Sequence, residues 1–198
     1  MVGMPLDPDA ELMLKVQKGN RLAFEALVVK HQKSVINVIF RSINDPTEAE
    51  DLAQNVFVQV WKVRRRYQPT AKFTTWLFTI VRNMCLNEVR RRARHPADSM
   101  EKPIADNAEG GEMQWQVADH SVKSPSEEAL RIELHRRVEM ALRRLPEQQR
   151  TAMMLIRHHN MPYEDIAKVL RCSLAATKSV IHRARQTLRD QIKPYLEP

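Results

Sequence analysis

Trp76, Asn83, Asn87 and Arg90 are spaced by seven, four and three residues. On a helix turning about 100° per residue they share one stripe with Thr79. The chemistry available to that stripe is recognition. An indole stacks on an unpaired base, a carboxamide presents a donor beside an acceptor to a base edge, and a guanidinium neutralises phosphate. A second set lies far downstream. In "SLAATKSVIHRARQTLR", Ala175, Ala176, Lys178, Ser179, His182 and Arg183 face out, while Thr177, Ile181, Ala184 and Leu188 face in. Short side chains followed by basic ones suit a helix entering the major groove, where Arg183 could read guanine or grip phosphate.

Both sets need helices to hold them. The first sits in "KFTTWLFTIVRNMCLNEVRRRAR", Lys72 to Arg94, where Phe73, Leu77, Ile80 and Met84 cluster as the expected core side. Between Lys62 and His95 ten Lys and Arg residues face a single acid, Glu88. Such a run is eased by an anionic partner; the plainer alternative is a solvated basic helix with a half-buried Trp. Ahead of it, "NDPTEAEDLAQNVFVQVWK" opens with Asp45 as N-cap, Pro46 at the first helical position and Glu48 closing a capping box. Its apolar stripe runs Ala49, Leu52, Ala53, Val56, Phe57, Val60, Trp61, with Glu50, Asp51, Gln54, Asn55 and Gln59 opposite.

The second set belongs to a helix-turn-helix pattern. Ile166, Ala167 and Leu170 form the inner face of a short helix, "RCS" supplies the turn, and Ser173 caps the next helix. A helical hairpin used only for packing is the alternative. The helix before it, in "SPSEEALRIELHRRVEMALRRL", opens with Ser124, Pro125 and Glu127. Its core stripe is Leu130, Leu134, Val138, Ala141, Leu142 and Leu145.

Composition bounds the rest. The 198 residues carry 43% hydrophobic side chains and a formal charge of +8, with a pI near 9.8. That excess points first to nucleic acid and second to anionic membrane. No apolar run approaches the roughly 18 residues of a membrane span, and "MVGMPLDPDAE" has no basic-then-apolar leader pattern. The expectation is a soluble, cytoplasmic protein with no membrane insertion. Only four glycines occur and the apolar spacing is helical nearly throughout, so the expected fold is all-α. From Ser99 to Ser126 the pattern breaks: prolines, glycines and Glu101, Asp106, Glu109, Glu112 and Asp119 outweigh Lys102 and Lys123. We read residues 99–126 as a flexible acidic linker between helical domains at 8–98 and 127–193.

Other constellations are weak. Adjacent His158 and His159 diverge on a helix, and with Cys172 they form no metal-binding spacing. Asp45, Glu48, Glu50 and Asp51 suit a helix N-terminus better than a nuclease metal. Neither a glycine-rich phosphate loop nor a nucleophile elbow occurs, so no catalytic residue, metal or cofactor is expected. Cys85 and Cys172 read as reduced, half-buried thiols.

In order and spacing, "DLAQNVFVQVWK", "KFTTWLFTIVRNMCLNEVRRR", the acidic linker and "LPEQQRTAMML…YEDIAKVL…TKSVIHRARQTLR" resemble the bacterial sigma-70 superfamily. The resemblance is closest to its small two-domain, extracytoplasmic-function type and covers most of the chain. It implies a non-enzymatic initiation factor that binds core RNA polymerase, recognises promoter DNA and melts it, with an anti-sigma factor as a further partner. By position, Asp51, Gln54, Asn55 and Gln59 would lie on the polymerase-binding helix. "RYQPTAK", with Arg66, Tyr67, Gln68 and Lys72, would be the loop that captures a flipped minus-ten base. Trp76, Asn83, Asn87, Arg90 and Arg91 would belong to the strand-separating helix. Ala175, Ala176, Lys178, Ser179, His182 and Arg183 would read the minus-thirty-five element. Departures are Asn55, where an acid is common, Asn160 and Arg171, where glycine is common, and Val180, often a basic position. A stand-alone helix-turn-helix regulator is the competing reading; it leaves the first domain's amide stripe without a task.

Overall fold

The computed structural model describes residues 7–94 and 125–195. Eight α-helices are present among these residues: α1 Pro8–Gln17, α2 Arg21–Ile43, α3 Pro46–Val63, α4 Phe73–Arg94, α5 Pro125–Arg144, α6 Glu147–His159, α7 Tyr163–Leu170 and α8 Leu174–Ile192. A 3-10 turn at Arg64–Arg66 follows α3, another at Lys193–Tyr195 ends the described chain, and no strand occurs among the described residues. The expected linker, apart from its last two residues, and the expected cap Ser124 lie outside the described residues; α5 already begins at Pro125.

Local chemistry sets the boundaries. Asp45 accepts from Glu48 N at 3.0 Å and Pro46 opens α3, as the sequence predicts. Asn20 caps α2 through Ala23 N, and Ser173 caps α8 through Ala176 N; each such cap stabilises by about 1 kcal/mol. At the other ends, Asn44, Asn160 and Arg171 take φ of 55°, 42° and 55°. The last two are the positions where the resemblance leads one to expect glycine, and a left-handed Arg171 costs roughly 1–2 kcal/mol.

The helices α1–α4 enclose Met13, Leu27, Ile39, Val56, Phe73 and Leu77. Asp9 is buried there, held by Lys30 at 2.6 Å and His31 at 3.0 Å. Burial lowers the His31 pKa against the opposing pull of Asp9. This core does not stop at the first unit. It continues into Met154, Leu155, Ile166, Val169 and Ile181 of α6–α8, while Leu142, Leu145 and Ala184 form a smaller cluster. α4 packs on α7 and α2 on α6, so the two helical units are docked against each other.

That docking corrects one expectation. The core side of α4 was expected to be Phe73, Leu77, Ile80 and Met84, but Ile80 and Met84 are only half-buried. Phe78, Val81, Arg82, Cys85 and Glu88 are buried instead. Phe78, Arg82 and Cys85, one row at helical spacing, turn toward α6. The Phe78 ring meets His159 at 4.2 Å in a tilted contact, Arg82 lies 3.6 Å from Glu147, and Glu147 and Arg150 act on Cys85. His159 is therefore an interface residue. Burial pushes the Cys85 thiol up to about 12, which leaves it unreactive. Cys85 is more deeply buried than expected; Cys172 is half-buried and shares a hydrogen bond with Thr177 at 3.1 Å.

Candidate nucleic-acid interfaces

The amide and basic stripe of α4 exists as a graded surface. Trp76, Thr79 and Asn83 are half-buried, and Asn87 and Arg90 are exposed. Trp76 meets Tyr67 edge-on at 5.1 Å and Phe73 at 6.0 Å. Only part of its face is open.

The loop before α4 divides by side-chain type. Arg66, Gln68 and Lys72 are exposed, as are Pro69 and Thr70. Tyr67, expected among the DNA-facing residues, is 2% exposed. Its ring closes on Phe73 and Trp76 because an aromatic in an otherwise polar loop gains more by burial than by solvation. Burial, with Asp7 and Asp9 adding to it, pushes its hydroxyl up to about 12.

The basic run is partly balanced from within the protein, which the local count of charges concealed. Glu88 is 8% exposed and accepts from Arg91 at 2.8 and 2.9 Å and from Arg92 at 2.8 Å. The Arg91 bonds, reinforced by Arg92 and opposed by burial, hold its carboxyl below the ordinary range. Glu48 approaches Arg91, and Asp45 approaches Arg92, each at 3.9 Å. Arg91, expected at DNA, thus has its guanidinium turned to carboxylates. Lys62, Arg65, Arg66, Lys72, Arg90 and Arg94 are exposed, and Arg91 itself keeps half of its side chain in solvent.

On α8, Ala175, Ala176, Lys178, Ser179, His182 and Arg183 are all exposed. Lys178, Ser179, His182 and Arg183 line an open cleft of about 430 Å³. Thr177, Ile181 and Ala184 are buried on the opposite side, and the preceding α7 and its Arg171 turn orient the helix. The exposed and buried sides of α8 fall where the sequence pattern put them, except that Leu188 is only half-buried.

On α3, Asp51, Gln54 and Asn55 are exposed and Gln59 is half-buried. Beside them lies a groove of about 720 Å³ between α2 and α3, lined by Phe24, Val28, Phe57, Val58, Trp61 and Gln54 among others. Sequence reasoning left α2 unassigned. The available signal was the apolar row Phe24, Val28 and Ile36 of α2, which lines the groove.

Comparison with known proteins places these surfaces in a family. Residues 27–95 match Sigma-70 region 2 and residues 135–188 match Sigma-70, region 4. The RNA polymerase sigma-H factor of Pseudomonas aeruginosa is 34% identical over 193 residues, covering 96% of each chain. The ECF RNA polymerase sigma-E factor of Haemophilus influenzae is 30% identical over 188 residues, covering 95% of this chain and 97% of that one. CnrH, solved in complex with the cytosolic domain of CnrY, superposes with a TM-score of 0.65 at 25% identity, over 95% of this chain and 99% of CnrH. The sigma factor RpoE of Bartonella quintana, solved with the anti-sigma factor NepR, shares the fold with a TM-score of 0.63 at 24% identity, over 86% and 96% of the two chains. The chain belongs to the sigma-70 family, in its extracytoplasmic-function type.

Proposed function

We propose that this chain is a promoter-specificity subunit that binds core RNA polymerase and directs recognition and melting of promoter DNA, without catalysis of its own. The observation that carries the reading is the presence on one chain of two distinct exposed recognition faces. One, on α4 and its loop, is suited to unpaired bases, and the other, on α8, to a major groove. A stand-alone helix-turn-helix regulator would need only the second. Asp51, Gln54, Asn55 and Gln59, continued by the apolar groove, are the proposed polymerase face. Arg66, Gln68, Lys72, Trp76, Asn83, Asn87 and Arg90 are the proposed minus-ten face; Tyr67 would join it only by leaving its buried site. Ala175, Ala176, Lys178, Ser179, His182 and Arg183 are the proposed minus-thirty-five face.

Elements named minus-ten and minus-thirty-five stand ~25 base pairs apart, or roughly 85 Å at about 3.4 Å per pair. A compact chain of this length has a radius of gyration of only about 16 Å. The docked units cannot reach both elements at once, so polymerase must hold them apart. An anti-sigma factor is the proposed antagonist, in keeping with the partners of the solved relatives, and it would act by stabilising a form that polymerase cannot use. The test is gel filtration with core polymerase. Comigration at equal stoichiometry supports the reading, and separate elution with tight sequence-specific DNA binding by the chain alone favours the regulator.

A further inference from the structure

We propose that α1 is a brace for the loop between α3 and α4, with Gln17 and Asp7 as positioning residues for base capture. The inference rests on the reading of that loop as the one that takes a flipped minus-ten base. Gln17 stands at the last position of α1. Its Nε2 donates to the carbonyl oxygens of Arg65 and Tyr67, each at 3.1 Å. Asp7 stands at the other end. It occupies the N-cap position of α1 but makes no side-chain cap bond there. Its Oδ2 instead accepts from the backbone N–H of Phe73, the first residue of α4, at 3.0 Å. The residue before Phe73 is Lys72, which has no acceptor to offer as a cap. Asp7 supplies the missing acceptor from another helix and places a negative charge at the positive end of α4.

One short helix therefore grips both ends of one loop. Ten residues of α1 span about 15 Å, whereas the six residues from Tyr67 to Lys72 could stretch to roughly 20 Å. Held closer than its full reach, the loop bows outward. Gln68, Pro69 and Thr70 are exposed, and Thr70 N turns back to Gln68 O at 2.8 Å. The brace is itself immobilised: Ala10, Met13 and Val16 are at most 1% exposed, and Asp9 ties α1 to Lys30 and His31 of α2. A loop fixed in its binding shape spends less conformational entropy when a base enters.

The test uses holoenzyme and a promoter carrying 2-aminopurine at the captured minus-ten base, whose fluorescence rises on unstacking. Gln17→Met removes both donors, and Gln17→Glu sets a carboxylate against two carbonyl oxygens. Each should reduce the fluorescence-detected capture by about tenfold, with closed-complex affinity unchanged. Asp7→Ala should act in the same direction, whereas Asp7→Asn, which keeps an acceptor, should retain near-parental capture; that rescue separates positioning from a general loss of folding. Glu11→Ala, exposed on the same helix, serves as the neutral control. Unchanged capture in both Gln17 variants, while Gln68→Ala reduces it, overturns the brace and leaves the loop's role standing. Unchanged capture in Gln68→Ala and Arg66→Ala overturns the loop's role and the brace with it. Equal loss of closed and open complexes in the Gln17 variants also overturns it, because the defect would then lie in assembly.

Discussion

A single nitrogen of Arg41, near the end of α2, donates to both carboxylate oxygens of Glu139 in α5, at 2.7 and 2.6 Å across 98 residues of chain. With Phe78 on His159 and Arg82 beside Glu147, it joins the two family regions into one docked body. The side chains are 13% and 22% exposed, so the pair is largely withdrawn from solvent screening. With the units docked, Asp51, Gln54 and Asn55 of the proposed polymerase face and the outer residues of α8 remain exposed.

Arg41→Ala should therefore loosen the docking and leave both helical units folded. The expected loss is about 1.5–3 kcal/mol, the scale of a hydrogen-bonded charge, read by thermal unfolding. Small-angle scattering should show a larger radius of gyration. Parental scattering and stability would remove the pair from the docking.

Asp51→Arg and Gln54→Ala should weaken holoenzyme assembly without lowering the melting temperature. Both side chains are exposed, opposite the buried stripe of Leu52, Val56 and Phe57. Val58→Asp, 49% exposed at the neighbouring groove, should weaken assembly as well, because it places a charge on apolar surface. A native gel with core polymerase measures all three; unchanged assembly would exclude this face.

Asn87→Ala should leave closed complexes intact and reduce strand opening, because an exposed amide on α4 meets base edges only after the strands part. A template with a pre-melted bubble should restore transcription. Trp76→Ala should lose opening five- to a hundredfold, the equivalent of roughly 1–3 kcal/mol for one base stack. It should also lower the melting temperature, since the indole packs on Tyr67 and Phe73. Permanganate footprinting and thermal denaturation separate the two effects; loss of closed-complex binding by Asn87→Ala would contradict its assignment.

Arg183→Ala should weaken minus-thirty-five recognition by about 1–3 kcal/mol at one base position if the guanidinium reads a base edge. If it grips phosphate, the loss should be uniform across promoter variants, with a shallower salt dependence. Titrations of variant promoters at several salt concentrations distinguish these outcomes, and no change in either would remove Arg183 from the interface.

What could be read in advance depended on sequence distance. The Asp45 and Ser173 caps and the inward face of α8 were legible because a helix states its own periodicity and its own ends. The left-handed Asn160 and Arg171 were legible as departures from glycine. The buried faces of Arg82 and Phe78 were not, because their partners Glu147 and His159 belong to the other unit. Tyr67 looked like a surface aromatic among polar neighbours until Phe73 and Trp76 closed over it. Gln17 and Asp7 carry no local signal either, since their bonds reach 48, 50 and 66 residues along the chain.

Run-off transcription with purified core polymerase, paired with permanganate footprinting of the same promoter, tests the central claim most directly. The expected result is start-specific transcripts and an opened minus-ten region that require both the chain and the core enzyme, with the isolated chain binding the promoter poorly. Tight, sequence-specific binding by the chain alone, with no strand opening and no change in the output of core polymerase, would contradict its role as an initiation factor.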